Sequence, residues 1–207
     1  MPAHPHDRSG GRRGSVLIEL ALALSVAFPL LLGVGAIGIR LGRTLQATEL
    51  TRDVAHMYAW GADFSLTGTQ AIASKLSQDF NLTSTGESVL LFSTVYVVLQ
   101  TDCNAAGLQT CPNLNLPVFT QRVALGNTTL RTSKFGTPPA NFVGSGGVIA
   151  PADYCQQASL VATGFNAVLA LAGGQYSTVV EGYFAMPDLN LLGLPDSGGG
   201  YYVRFLF

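Results

Sequence analysis

The chain has 207 residues, of which 48% are hydrophobic and only 11% charged, with a formal net charge of −1. That balance offers neither a basic field for nucleic acid nor an acidic field for cationic partners, and the length suffices for one ordinary domain plus a membrane anchor. Three cysteines, Cys103, Cys111 and Cys155, all lie far downstream of the N-terminal apolar run, and their odd number allows at most one intramolecular pair.

In chain order, the first stretch, "HDRSGGRRG" over 6–14, carries Arg8, Arg12 and Arg13. It is followed by "SVLIE" and then by an uncharged run from Leu20 to Ile39. A helix over that run is about 30 Å long, the thickness of a bilayer core. The preceding arginines keep the N-terminus on the cytoplasmic side and place everything after Arg40 outside. Beyond the run, Leu50, Val54, Met57 and Tyr58 fall on one stripe at helical spacing, which predicts that the helix continues to about Trp60.

Two other motifs overlap this run. "GVGAIG" over 33–38 matches a dinucleotide-binding glycine pattern, and Asp53 lies twenty residues past its first glycine. A nucleotide loop needs a short strand before it and a βαβ unit around it, and neither is present; Gly33, Gly35, Gly38 and Pro29 suit a membrane helix instead. A secretory signal cleaved after Ala36 would explain the arginines and the apolar run. It leaves Glu19 without a use, although a carboxylate there costs about 1–3 kcal/mol of insertion free energy.

"RRGSVLIE" resembles the leader and mature start of type IV pilins, in which a prepilin peptidase cuts after the glycine and residue five of the mature chain is glutamate. Together with "GIRLGRTLQATELTRDVAHMYAWG", it is similar to the TadE-like pseudopilins of tight-adherence (Tad, type IVc) pili; Leu20 stands where those proteins carry an aromatic residue. The resemblance covers roughly residues 12–62. It implies a cytoplasmic leader over 1–14, cleavage between Gly14 and Ser15, a transmembrane and amphipathic helix over 15–62, and an exported head over 63–207. It also implies that Glu19 pairs with the α-ammonium of a neighbouring subunit's first residue. The implied location is a bacterial inner membrane, crossed once, and the implied partners are the prepilin peptidase, other pilin-like subunits and the pilus assembly proteins of that membrane.

Past residue 62, "TGTQAIASKLSQDF" over 67–80 predicts a short helix capped by Thr67, with Ile72, Leu76 and Phe80 on its packing face. "SVLLFSTVYVVLQ" over 88–100 is β-branched and aromatic on both faces, as in a central strand. Cys103 and Cys111 flank the polar loop "CNAAGLQTC", whose closure by a disulfide would stabilise the fold by roughly 2.5 kcal/mol. Pairing of Cys155 with either cysteine is the rival arrangement, and a free Cys155 buried as a small apolar group fits its context equally.

"PVFTQRVAL" over 117–125, "YSTVVEGYFAM" over 176–186 and "YYVRFLF" over 201–207 read as further strands. Between the first two, Leu160, Phe165, Val168, Leu169 and Ala172 are spaced like one face of a helix over 151–173 that ends at Gly173. The outcome is an α+β head of mainly antiparallel sheet, about four strands, with one or two packed helices.

Catalytic patterns are sparse. His56 and Asp53 share a helix and no nucleophile elbow accompanies them, while zinc would have to gather Cys103, Cys111, Cys155 and His56 across spacings unlike a zinc knuckle. No enzyme activity, cofactor, metal or small-molecule substrate is expected. Two functional classes follow: a structural pilin-like subunit whose large head suits a minor, priming or tip position, or a membrane-tethered or signal-peptide-secreted binding or enzymatic domain unrelated to pili.

Overall fold

A computed structural model describes residues 10–77, 80–185 and 199–207, with side chains described from Val16 onward. The described residues fall into two units, the part of the first helix through Arg43 and the chain from Thr44 on.

Helix α1 (Gly10–Ala59) is a single element of 50 residues. Pro29 lies inside it and has no N–H to give the Ser25 carbonyl, yet the helix continues on both sides. The Ser25 hydroxyl turns back onto the Leu22 carbonyl oxygen at 2.7 Å. From Val16 to Leu41 the large apolar side chains, Leu32 apart, are exposed, and the helix is long and apolar enough to cross a membrane.

The second unit is built on a four-stranded antiparallel sheet: β1 (Ser88–Val97), β2 (Pro117–Gly126), β3 (Tyr176–Ala185) and β4 (Gly200–Leu206), in the order β2-β1-β3-β4. β1 is thus an inner strand, which is why its run of apolar residues is buried on both faces. Strand pairing puts Leu90, Phe92, Val123, Leu125, Val180, Phe184 and Phe205 on one face.

That face is covered by the last part of α1, whose buried residues Ala47, Leu50, Thr51, Val54, Ala55 and Tyr58 recur at three- and four-residue intervals. The close of α1 therefore belongs to the core of the sheet domain. Phe64 stacks on Phe92 with ring centroids 4.1 Å apart, and the Tyr58 hydroxyl meets Thr94 Oγ1 at 2.9 Å.

Gly182 sits where α1 crosses β3. A Cβ built there would lie 2.6 Å from Thr51 Oγ1 and 2.8 Å from Phe184 Cε2, so the absence of a side chain sets how closely helix and sheet approach. Gly182→Ala is expected to cost about 1–3 kcal/mol through overpacking, read as a lower urea midpoint at unchanged slope for the detergent-solubilised chain.

The opposite face is covered by the chain between β2 and β3, through Phe135, Ile149, Leu160, Ala162 and Phe165. A bulge in β2 opposite Thr94/Val95 leaves Thr120 outside the β1–β2 pairs, and its carbonyl accepts the Ile149 N–H at 2.9 Å.

Two sequence expectations are corrected here. Residues 151–173 are not one helix: α4 (Pro151–Gln156) is followed by isolated 3₁₀ turns at Ala158–Leu160 and Phe165–Ala167. Gln157 is extended, Gly164 takes a left-handed φ of 71°, and Val161 bridges to Val118 of β2. Leu160 and Phe165 are buried, but Val168 and Leu169 are not, so the helical spacing was coincidental.

Helix α2 (Thr67–Leu76) forms as expected, but Thr67 is its first residue and does not cap it; Leu66 occupies the cap position without a side-chain bond. Its buried residue is Ala73, whereas Ile72 and Leu76 are exposed, so the helix's packing face is rotated by one position from the one predicted; Phe80, the third residue expected on that face, is buried in the core beyond the end of the helix.

Candidate functional site

Glu19 lies on α1 directly before the uncharged run, and its side chain is exposed. The expected leader over 1–14 falls largely outside the described residues, and so do the side chains of Gly14 and Ser15, whose backbone is helical. Ser15 and Glu19 are four residues apart along one unbroken helix, a rise of about 6 Å.

Among the described residues, the apolar surface around this position joins no buried core. Val16, Leu17, Ile18, Leu20, Leu22 and Leu24 are all more than half exposed. A Cβ placed at Gly33, Gly35, Gly38 or Gly42 would meet nothing within 4 Å, so these glycines are not explained by packing among the described residues. In a bilayer such positions let helix backbones approach one another.

In the second unit Cys103 and Cys111 are disulfide-bonded with Cα atoms 5.7 Å apart. Cys103 sits in α3 (Gln100–Ala105), whose first turn is held by Asp102: its Oδ2 accepts the Leu99 N–H at 2.8 Å and the Tyr96 hydroxyl at 2.6 Å. Burial, followed by that carboxylate, pushes the Tyr96 phenol up from its ordinary value.

Cys155, on α4, is a free and buried thiol, raised by burial and then by Asp102. The three sulfurs lie within 4.8 Å of one another. His56 is not in that group. It stands exposed on α1 with its ring against Phe207, centroids 4.6 Å apart, while Asp53 pairs with Arg52 at 3.6 Å. The four-ligand set considered from sequence is therefore not assembled.

A buried charge pair went unseen in the sequence. On the loop-covered face Arg122 of β2 donates to Ser93 Oγ, and its Nη1 lies 4.0 Å from Glu181 Oε2 of β3. Glu181 Oε1 accepts the Tyr202 hydroxyl at 2.6 Å and the Lys134 N–H at 3.0 Å, whereas Oε2 has no hydrogen-bond donor among the described residues. The 4.0 Å approach of Arg122 is electrostatic contact without a hydrogen bond. Burial lowers the Arg122 guanidinium from its ordinary value, and Glu181 opposes that shift. The side chains of Arg131 and Lys134 lie over the Tyr202 ring, each 4.7 Å from its centroid. A polar residue centred in an apolar strand was the available signal, but alternation alone gives no means of finding its partner.

A groove of about 280 Å³ between α1 and α2 is lined by Gln46, Glu49, Leu50, Asp53, Leu76, Ser77 and Phe80. Among the described residues, the hydroxyl of its one serine, Ser77, is bonded to the Ser74 and Phe80 carbonyl oxygens and not to a base. No protein-family model, no curated protein and no solved structure matches the chain.

Proposed function

We propose that the chain is a structural subunit of a pilin-like filament or related secretion machine, of the Tad type, in a minor, priming or tip position. The observation that carries this reading is the placement of Gly14, Ser15 and Glu19 on one helix just ahead of a bilayer-length apolar run. Cleavage after Gly14 would make Ser15 the mature N-terminus and Glu19 its fifth residue. Glu19 then serves as an assembly contact to a neighbour's α-ammonium, which removes two charges that lipid would penalise.

The exposed apolar girdle of α1 and its unexplained glycines support lateral packing with other helices in the membrane. The sheet domain, to which α1 contributes its last turns, would stand outside as the surface for further contacts. The partners under this reading are other pilin-like subunits, the assembly proteins of the inner membrane and the prepilin peptidase. No catalytic step is assigned to any residue.

Processing tests the reading directly. Mass spectrometry of the N-terminal peptide from host membranes is expected to find a chain beginning at Ser15, and Gly14→Arg is expected to leave the precursor uncut. A chain beginning at Ile37 would instead establish a secretory signal, and an uncut wild-type chain would establish a plain anchor.

A further inference from the structure

We propose that Cys103, Cys111 and Cys155 form a thiol–disulfide exchange centre, in which the Cys155 sulfur attacks Cys103 and releases Cys111 as a reactive thiol. The sequence places Cys155 far from the other two, on a different element, yet the fold brings all three sulfurs within 4.8 Å of one another. Approach of the third sulfur to the disulfide is then a matter of side-chain rotation, without unfolding of either element.

Hydrogen bonds from Asn113 hold the arrangement in place. Asn113 donates from Nδ2 to the carbonyls of Tyr154 and Gln157, each at 2.9 Å, and from its backbone to the Cys155 carbonyl at 3.3 Å. These bonds clamp α4 onto the loop that contains Cys111. Val98, Val118, Leu108, Leu114 and Tyr154 complete an apolar enclosure around the sulfurs.

The direction of attack follows from burial. Cys103 and Cys155 are buried, whereas Cys111 is half-buried. Of the two sulfurs that could leave, Cys111 keeps contact with solvent, so its thiolate is the better-solvated leaving group. Once protonated, the Cys111 thiol has the Cys155 carbonyl oxygen 3.4 Å away as an acceptor.

The step balances within the chain. The Cys155 thiol loses its proton to solvent, the Cys103–Cys155 bond forms, the Cys103–Cys111 bond breaks, and Cys111 takes up the electron pair and then a proton. The number of disulfides stays the same, and no outside oxidant or reductant is consumed. What changes is the tether: a small loop within one segment is exchanged for a link between α3 and α4.

Burial holds the Cys155 thiol above its ordinary value, so the reactive thiolate is scarce at neutral pH and grows as pH rises. The test uses the full chain in detergent, purified without reductant and incubated with N-ethylmaleimide between about pH 6 and about pH 9, then acid-quenched and peptide-mapped. The expected result is a Cys103–Cys155 peptide accumulating together with label on Cys111, faster by about tenfold per pH unit after correction for the reagent's own pH dependence. Cys155→Ser is expected to leave Cys111 unlabelled. Cys111→Ser, matured under oxidising conditions, is expected to contain the Cys103–Cys155 link. Label confined to Cys155 with Cys103–Cys111 intact at every pH would overturn the proposal, as would two free thiols in Cys111→Ser. Both readouts are independent of filament assembly.

Discussion

Glu19→Val is expected to abolish assembly while the chain still enters the membrane normally. The carboxylate stands at the head of an uncharged run, where it costs up to about 3 kcal/mol of insertion free energy, so valine should insert at least as well. Under the pilin-like reading its function is to meet a neighbour's α-ammonium. Without it that ammonium is left uncompensated in a low-dielectric bundle, and removing one side of such a pair costs about 3–5 kcal/mol. Repeated at each contact, that loss should eliminate co-purification with other pilus components and surface piliation in cells that accumulate and process the variant. Glu19→Asp should be intermediate, because it keeps the charge and shortens its reach. Normal assembly of Glu19→Val at normal abundance would sink the pilin-like mechanism and leave a plain membrane anchor.

The second large effect is expected at the buried pair in the sheet. Glu181→Gln keeps the shape of the side chain and removes its charge, leaving the buried Arg122 cation facing a neutral amide. Loss of one partner from a buried pair costs about 3–5 kcal/mol. For a domain of this size that corresponds to a fall of roughly 10–15 °C in melting temperature by near-ultraviolet circular dichroism of the detergent-solubilised chain. Arg122→Met combined with Glu181→Gln should recover most of the loss, because neither charge then remains buried. Equal destabilisation in the single and double variants would mean that packing, and not charge, sets the effect.

The strands were legible because their apolar and β-branched residues alternate or saturate over short lengths bounded by turns. In β4 the alternation puts Tyr201, Val203 and Phe205 towards α1, and Tyr202, Arg204 and Leu206 the other way. The stripe of Leu50, Val54 and Tyr58 likewise gave the buried side of α1. Over 151–173 the helical spacing is misleading because burial there comes from isolated apolar residues in an irregular covering loop, and spacing cannot separate such a loop from a helix. The rotation of α2 has a similar cause: Ala73 is small enough to sit against the sheet domain while larger neighbours remain outside. Pairings across distant segments, Arg122 with Glu181 and Cys155 with the other sulfurs, are products of the strand order, which no local pattern encodes.

That strand order also governs how the domain comes together in time. β1 precedes its second neighbour β3 by the whole of β2 and the long covering segment over 127–175. As the chain emerges, β1 and β2 can pair early, but one side of β1 waits for residues not yet synthesised. "SVLLFSTVYV" has no charge and no proline, and while that edge is unfilled it is the kind of strand that recruits another copy of itself. The domain therefore has a window during its biogenesis in which aggregation competes with closure. Speed through that window is limited by long-range pairing, so yield should depend on chaperones that shield extended apolar strands more than on the stability of the finished fold.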